Sequence, residues 1–293
     1  MKIGFSVPTR GPLATPENLV RIVESAEEFG FDIVSVSDHV VIPWTIASRY
    51  PYSPAGDFPL HPSTPFLEPL TTLALVAGVT ERIRLGTTVL VLPHRHPVLA
   101  AKMLATIDHL APGRVILGAG VGWMREEIEL LGAPYDTRGA WSDEALRVMR
   151  ACWSNERASF AGRFFRFEAV ACLPRPANGT IPIWIGGESP RALRRVAEHG
   201  DGWHAAFPTP AKVGEALPAL QTACRAAGRD FSSLTLTARM GLPGRKPADE
   251  VIAEVQALAR LGISHLVLET RARDLEDMLA TYSRFAREIR PRI

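Results

Sequence analysis

Apolar residues along this chain follow two alternating periods. Short runs with no polar face, rich in Val, Ile and Leu, occupy 3–8, 33–37, 83–92, 115–119, 183–186, 201–205, 234–238 and 266–269. Between them lie longer stretches with apolar positions at helical spacing, at 16–29, 66–79, 98–110, 137–154, 190–198, 210–227, 247–261 and 274–289. A strand without a solvated face is covered on both sides, which is the habit of parallel sheets. Strict strand–helix alternation predicts such a sheet, and eight units predict its closure into a (β/α)8 TIM barrel. Sites in that architecture sit at the C-terminal ends of the strands.

The punctuation agrees with this order. Gly30, Gly200 and Gly262 each follow a helix and directly precede a strand, where glycine suits the left-handed position that closes a helix. Two segments exceed a minimal barrel. The first, about 40–65 after the second strand, carries Pro43, Pro51, Pro54, Pro59, Pro62 and Pro65 together with Trp44, Tyr50, Tyr52 and Phe58. A loop of that length in a compact domain is commonly functional, and this one is too aromatic for a disordered linker. It is expected to be a lid or pocket wall. The second, about 158–175, alternates around Ala161-Gly162 and reads as a small hairpin insertion. The whole of 1–293 is read as one domain.

Composition narrows the class. The chain has 33 basic and 31 acidic residues, for a formal charge of +2, with no basic stripe or acidic tail. Nucleic acid is therefore not an expected partner. Three scattered cysteines argue against a disulfide frame and for a reducing compartment. The chain opens directly on a strand and carries no long apolar run, so neither signal peptide nor membrane span is expected. The expectation is a cytoplasmic enzyme.

Candidate chemistry clusters at the predicted strand ends. Asp38-His39 follows the second strand, and a carboxylate beside an imidazole can tune proton transfer near neutral pH; a loop-capping Asp beside a packed His is the plainer alternative. Gly186-Gly187-Glu188-Ser189-Pro190 lies between a strand and a helix, where a bare backbone and free N–H groups favour a phosphate. Ser189 also suits an ordinary N-cap before Pro190. Gly118-Ala119-Gly120-Val121-Gly122-Trp123 lacks the dinucleotide fingerprint, since Trp stands where its last glycine belongs. It could still offer a flat, side-chain-free wall to a ring. His94-Arg95-His96 has metal-ligand spacing but no further ligands, so no metal is expected. Trp184 and Trp203 read as core or rim, and Trp44 and Trp123 as the two placed against a planar ligand.

Taken together, these pieces resemble the luciferase-like monooxygenase superfamily, the bacterial-luciferase type of barrel, and within it the coenzyme F420-dependent oxidoreductases. The matching residues are Ser37-Asp38-His39, Gly86-Thr87-Thr88-Val89-Leu90 with Pro93 and His96-Pro97, then Thr106-Ile107-Asp108 and Gly113-Arg114. Leu117 through Trp123 with Glu126-Glu127 follows, and then Arg138-Gly139, Phe160-Ala161-Gly162, Ile185-Gly186-Gly187 and Gly200-Asp201-Gly202. The resemblance implies a flavin or deazaflavin ring in the barrel mouth. It implies a non-proline cis peptide at Thr88-Val89 against the ring, with Gly120, Gly122 and Trp123 beside it. It implies Asp38 and His39 at the reactive face, His39 handling a proton and Asp38 orienting it. Gly186, Gly187, Glu188 and Ser189 would take the cofactor phosphate, and the lid residues Trp44, Arg49 and Tyr50 would line the substrate pocket.

The chain departs from a sugar-phosphate dehydrogenase of that branch at Trp123, where the relative has a catalytic Glu, and in the spacing of Trp44 from the Asp-His pair. The reading implied is hydride transfer between F420 and a small organic substrate. The alternatives are an FMN-dependent monooxygenase fed by a partner reductase, a non-catalytic flavin-binding protein, which is of another class, and a metal-dependent hydrolase. The resemblance also implies a homodimer.

Overall fold

In the computed structural model, which describes residues 1–244 and 246–293, the strand ladder closes on itself. Its strands are β1 (Lys2–Ser6), β2 (Ile33–Val36), β3 (Arg84–Thr87), β4 (Leu90–Val91), β5 (Val115–Gly120), β6 (Ala158–Ala161), β7 (Arg166–Val170), β8 (Ile183–Gly186), β9 (Gly202–Ala206), β10 (Thr235–Gly241) and β11 (His265–Glu269). The sheet runs β3-β2-β1-β11-β10-β9-β8-β5-β4, every pair is parallel, and β3 also pairs β5. Because β3 and β4 share one position, the barrel has eight staves, as the alternation predicts. The helices are α1 (Pro16–Glu28), α2 (Pro69–Val79), α3 (Pro97–Leu110), α4 (Arg125–Leu130), α5 (Arg138–Ser154), α6 (Pro190–His199), α7 (Pro210–Ala226), α8 (Ala248–Arg260) and α9 (Leu275–Arg284).

Local chemistry explains why these helices start and stop where they do. Thr15, Glu68, Ser189 and Thr209 each cap a helix through the side chain, and each is followed by proline at the first helical position. Proline there has no N–H to leave unpaired and a φ already suited to the helix. At the far end of α1, Gly30 (φ +73°) lets its own N–H reach Glu27 O and that of Phe31 reach Ala26 O. Gly262 (φ +89°) closes α8 in the same way. Gly200 does not follow the expected pattern, because its backbone is extended (φ −89°). A Cβ there would lie 2.9 Å from Ile185 Cγ1 and 3.1 Å from Val196 O, so glycine is required by space rather than by φ.

The buried faces divide into two cores. Outward strand residues and inward helix residues form the large one, which includes Phe5, Trp153, Trp203 and Tyr282. Full burial of such side chains contributes roughly 1.5–3 kcal/mol each. Inside the barrel, Ile33, Ile116 and Trp184 make a small apolar floor. Above it the interior turns polar, with Ser35, Thr88, His204 and Thr237 buried. The barrel is therefore plugged at its base, with its buried polar interior above the plug.

Three details differ from the sequence expectation. The single third strand over 83–92 is two strands; the interruption falls at Thr88-Val89, where the peptide bond is cis, as the family resemblance implies. The short helix α4 was not expected. The last helix gives way after Arg284 to a π turn over Phe285–Ile289. The hairpin is present as β6 and β7, and buried Glu144 of α5 holds its tip by accepting from the amides of Arg163, Phe164 and Phe165 at 2.9, 2.9 and 2.7 Å. No helix among the described residues is long and apolar enough to cross a membrane.

Candidate active site

The strand end after β2 carries Asp38 and His39, and the structure separates them. Asp38 turns inward under β4, where its carboxylate accepts from Val91 N at 2.9 Å and from the Arg95 guanidinium at 2.7 and 3.0 Å. Burial alone would raise this carboxyl, but His94 and Arg95 outweigh it and hold the group down to about 2. Asp38 therefore does not orient His39, contrary to the sequence expectation. That position belongs to Glu127, on α4, whose Oε2 lies 2.7 Å from His39 Nδ1. Its Oε1 accepts from Val40 N and Val41 N at 2.7 and 3.1 Å. Burial pushes the Glu127 carboxyl up, yet His39, His94 and the Val40 amide together bring it below its ordinary value. His94 lies between the two acids, 3.5 Å from Asp38 Oδ2 and 3.5 Å from Glu127 Oε2.

An aromatic wall surrounds the His39 ring. Phe58 lies 5.0 Å from it, Phe66 5.5 Å and Trp123 6.2 Å, centroid to centroid. Tyr50 of the lid stands against Trp123 at 5.1 Å and Phe58 at 5.3 Å, and Tyr52 reaches Phe207, beyond the end of β9, at 5.9 Å. The lid thus lies across the top of the barrel. Glu126 anchors it by accepting from Ala47 N, Ser48 N and Ser48 Oγ at 2.7, 3.1 and 2.8 Å. Two other lid residues do not join the site. Trp44 is 78% exposed, with a ring contact to His61, and Arg49 is exposed beside Gly56. Of the three lid residues expected at the pocket, only Tyr50 reaches it.

Beneath the wall, polar side chains span the mouth. Thr88 Oγ1 donates to Ser35 Oγ at 3.0 Å, and Arg239 Nη1 donates to Thr88 O at 2.8 Å. Arg239 also pairs with Glu269 at 2.7 Å, and Arg10 reaches Glu269 at 3.5 Å. Lower down, His204 Nδ1 meets Thr237 Oγ1 at 2.8 Å; burial, helped by Arg239, brings its pKa down to about 3. The Thr237 hydroxyl donates to Trp203 O, so His204 Nδ1 is the donor in its pair and Nε2 is left bare. His204 Nε2 and Arg239 Nε are buried without a hydrogen-bond partner among the described residues. Buried polar atoms of that kind normally find partners, so a flat ligand with polar edges suits this floor.

The glycine turn after β8 sits on the same rim. Gly187 (φ +107°) is fixed from below, its carbonyl accepting from Trp203 Nε1 at 2.9 Å. Gly120 and Gly186 face Val89, where added Cβ atoms would come within 2.5 and 3.1 Å of its methyl groups. Ser189 Oγ is engaged as the cap of α6, accepting from Ala192 N at 3.2 Å, while Glu188 is exposed. Among the described residues, no three His, Cys, Asp or Glu side chains converge as metal ligands would.

Sequence reasoning missed Glu127, Arg95, Arg239 and Arg10 as parts of this site. Glu126-Glu127 stands out in the sequence, but its partner lies 88 positions away. No local signal separates Asp38 from His39, because both lie beyond β2, which ends at Val36.

The profile of the luciferase-like monooxygenases matches residues 1–288. The chain belongs to this family. Among relatives of this luciferase-like protein, an uncharacterized protein of Mycobacterium tuberculosis (strain ATCC 25618 / H37Rv) is 31% identical over 295 residues, 99% of each chain. An F420-dependent glucose-6-phosphate dehydrogenase of Nakamurella multipartita is 33% identical over 227 residues, 75% of this chain and 61% of the relative. Among solved structures, an F420-dependent secondary alcohol dehydrogenase in complex with an F420-acetone adduct superposes with a TM-score of 0.81 at 19% identity, over 99% of this chain and 98% of that one. At that identity the likeness speaks for the fold. Family and relatives together make this luciferase-like protein an oxidoreductase.

Proposed function

We propose that this protein transfers a hydride between coenzyme F420 and a small organic substrate in the barrel mouth. One observation carries the reading: His39 is held at the rim by a buried carboxylate, with an aromatic wall around it and a polar floor below. The relative from Nakamurella multipartita supports F420 as the cofactor. When bound, F420 would accept or donate the hydride at its ring carbon. Thr88, Arg239 and the backbone at Gly120 and Gly122 would hold the ring, with Val89 behind it, and Trp123 and Tyr50 would exclude water above. Gly186, Gly187 and the start of α6 would receive the phosphate. In the oxidising direction a substrate carbon loses hydride while its hydroxyl proton passes to His39; in the reducing direction His39 returns it. Asp38 acts at a distance, fixing the strand break against which the ring would lie.

Trp123 has no titratable group, so the proton task is assigned to His39, and a phosphorylated sugar is not the substrate we favour. The uncharged outer residues Leu75, Leu99 and Leu110 on α2 and α3 suit a second copy of the chain, and we propose a homodimer.

Equilibrium titration of the purified protein with oxidised F420, and separately with FMN, tests the reading. F420 is expected to bind, seen as a change in its own absorbance and fluorescence. Binding of FMN alone, with oxygen uptake once reduced flavin is supplied, would establish the monooxygenase alternative instead.

A further inference from the structure

We propose that Glu127 is the positioning residue of this site: it fixes His39 as the Nδ1–H tautomer and so makes Nε2 the atom that exchanges the substrate proton. The catalytic meaning of that assignment rests on the hydride-transfer reading above. The geometry behind it stands apart from any cofactor. The Glu127 side chain is fully buried, and its two oxygens have different partners. Oε1 accepts from the amides of Val40 and Val41. Oε2 faces His39 Nδ1 at 2.7 Å and His94 Nε2 at 3.5 Å. An ionised carboxylate can only accept, so the hydrogen between it and His39 must sit on Nδ1. A neutral imidazole with Nδ1–H carries its lone pair on Nε2. That nitrogen has no hydrogen-bond partner among the described residues, and the side chain is 13% exposed within the wall of Phe58, Phe66 and Trp123. It is the one nitrogen of the ring able to meet a substrate.

Asp38 cannot perform this task. Its oxygens are committed to Val91 N, Arg95 and the far side of His94. The proton balance is simple. With F420 bound as the hydride acceptor, a substrate carbon would lose its hydride, the hydroxyl proton would move to Nε2, a carbonyl would form, and His39 would become imidazolium beside the Glu127 carboxylate. Glu127 itself stays ionised and exchanges nothing.

Glutamine at this position separates orientation from mere filling of space. In Glu127→Gln the single amide oxygen must serve Val40 N and Val41 N, which keeps the loop anchored. The NH2 group then faces His39 and needs an acceptor, so Nδ1 must give up its hydrogen and the ring must carry it on Nε2. The tautomer is expected to invert. The experiment is 15N imidazole NMR on the full chain without cofactor, at a pH where the ring is neutral, for wild type, E127Q and D38N. Wild type and D38N should show hydrogen on Nδ1, and E127Q should show it on Nε2. Hydrogen on Nε2 in wild type, on Nδ1 in E127Q, or a switch in D38N would each overturn the assignment. Should E127Q fail to fold, wild type and D38N still decide it. On any substrate the enzyme turns over, E127Q should lower kcat by roughly 10²-fold or more with KM little changed, since a wrongly protonated imidazole cannot accept the proton. Failure of F420 to bind would leave the NMR result standing, and the reverse holds equally.

Discussion

Replacing Arg95 with methionine tests how the rim beneath His39 is held together. In wild type the Arg95 guanidinium makes two contacts to Asp38, at 2.7 and 3.0 Å, and two to Glu68 Oε1, at 2.7 and 3.1 Å. The Asp38 side chain has no exposure and that of Arg95 has 8%. Methionine keeps most of the volume and removes the charge, which leaves a buried carboxylate without its main cation. Breaking one side of a buried pair destabilises by about 3–5 kcal/mol. The protonation balance gives a figure of the same order. Asp38 is held at about 2 against an ordinary 3.8, which corresponds to about 2 kcal/mol of stability at neutral pH.

The sign follows from the depressed value. Wild type has this stability above the ordinary carboxylate range and loses it as pH falls toward 2. In R95M, only His94 and the Val91 amide oppose the burial of Asp38, and the carboxyl takes up a proton more readily. The gap between the two proteins should therefore be widest at pH 7 and already smaller at pH 4, because the R95M carboxyl protonates above its ordinary range. At roughly 2 °C per kcal/mol for a chain of this size, Tm should drop by about 6–10 °C at pH 7. Adding D38N to R95M removes the stranded charge and should recover much of the loss. Thermal unfolding of wild type, R95M and the double variant at pH 7 and pH 4 provides the check. A loss below about 1 kcal/mol, a loss equal at both pH values, or a double variant no better than R95M would refute the reasoning.

Three further substitutions probe other parts of the frame. Gly200→Ala should destabilise by about 1–3 kcal/mol because its Cβ meets Ile185 and the Val196 carbonyl. Gly214→Ala, in α7 with nothing within 4 Å, should stabilise by about 0.5–1 kcal/mol; denaturant unfolding compares the two. Glu144→Ala strands the three hairpin amides that it now satisfies, and should speed hydrogen exchange at 163–165 selectively. Equal protection in variant and wild type would show that the carboxylate does not hold the hairpin.

Much of the fold was legible because two-sided burial leaves a plain mark. The runs at 115–119 and 183–186 have no polar face, and both are barrel strands. The proline-led helix starts and the turns at Gly30 and Gly262 were readable as local chemistry. The residue pattern did not show the break in the third strand, since Thr88 and Val89 continue the same β-branched run; the family resemblance alone pointed to the cis bond there. α4 escaped notice because six residues are too few to show helical spacing.

The site was legible in its location and less so in its wiring. Asp38 and His39 are adjacent in sequence, which suggests a pair, whereas in the fold they have different partners. Those partners, Arg95 and Glu127, come from elements 57 and 88 positions further on. A long-range ion pair has no local period and leaves no pattern to read. Trp44 misled for a related reason. Its aromatic character marks the lid, but only the packing shows that Tyr50 faces Trp123 while Trp44 faces outward.

A structure of the protein with F420 bound is the most direct measurement of the central claim. The account predicts the deazaflavin ring in the barrel mouth above Thr88, with His39 Nε2 at its reactive face and the phosphate at the turn of Gly186 and Gly187. A ring bound anywhere else on the molecule, or a mouth that stays closed to F420 at saturating concentration, would contradict it.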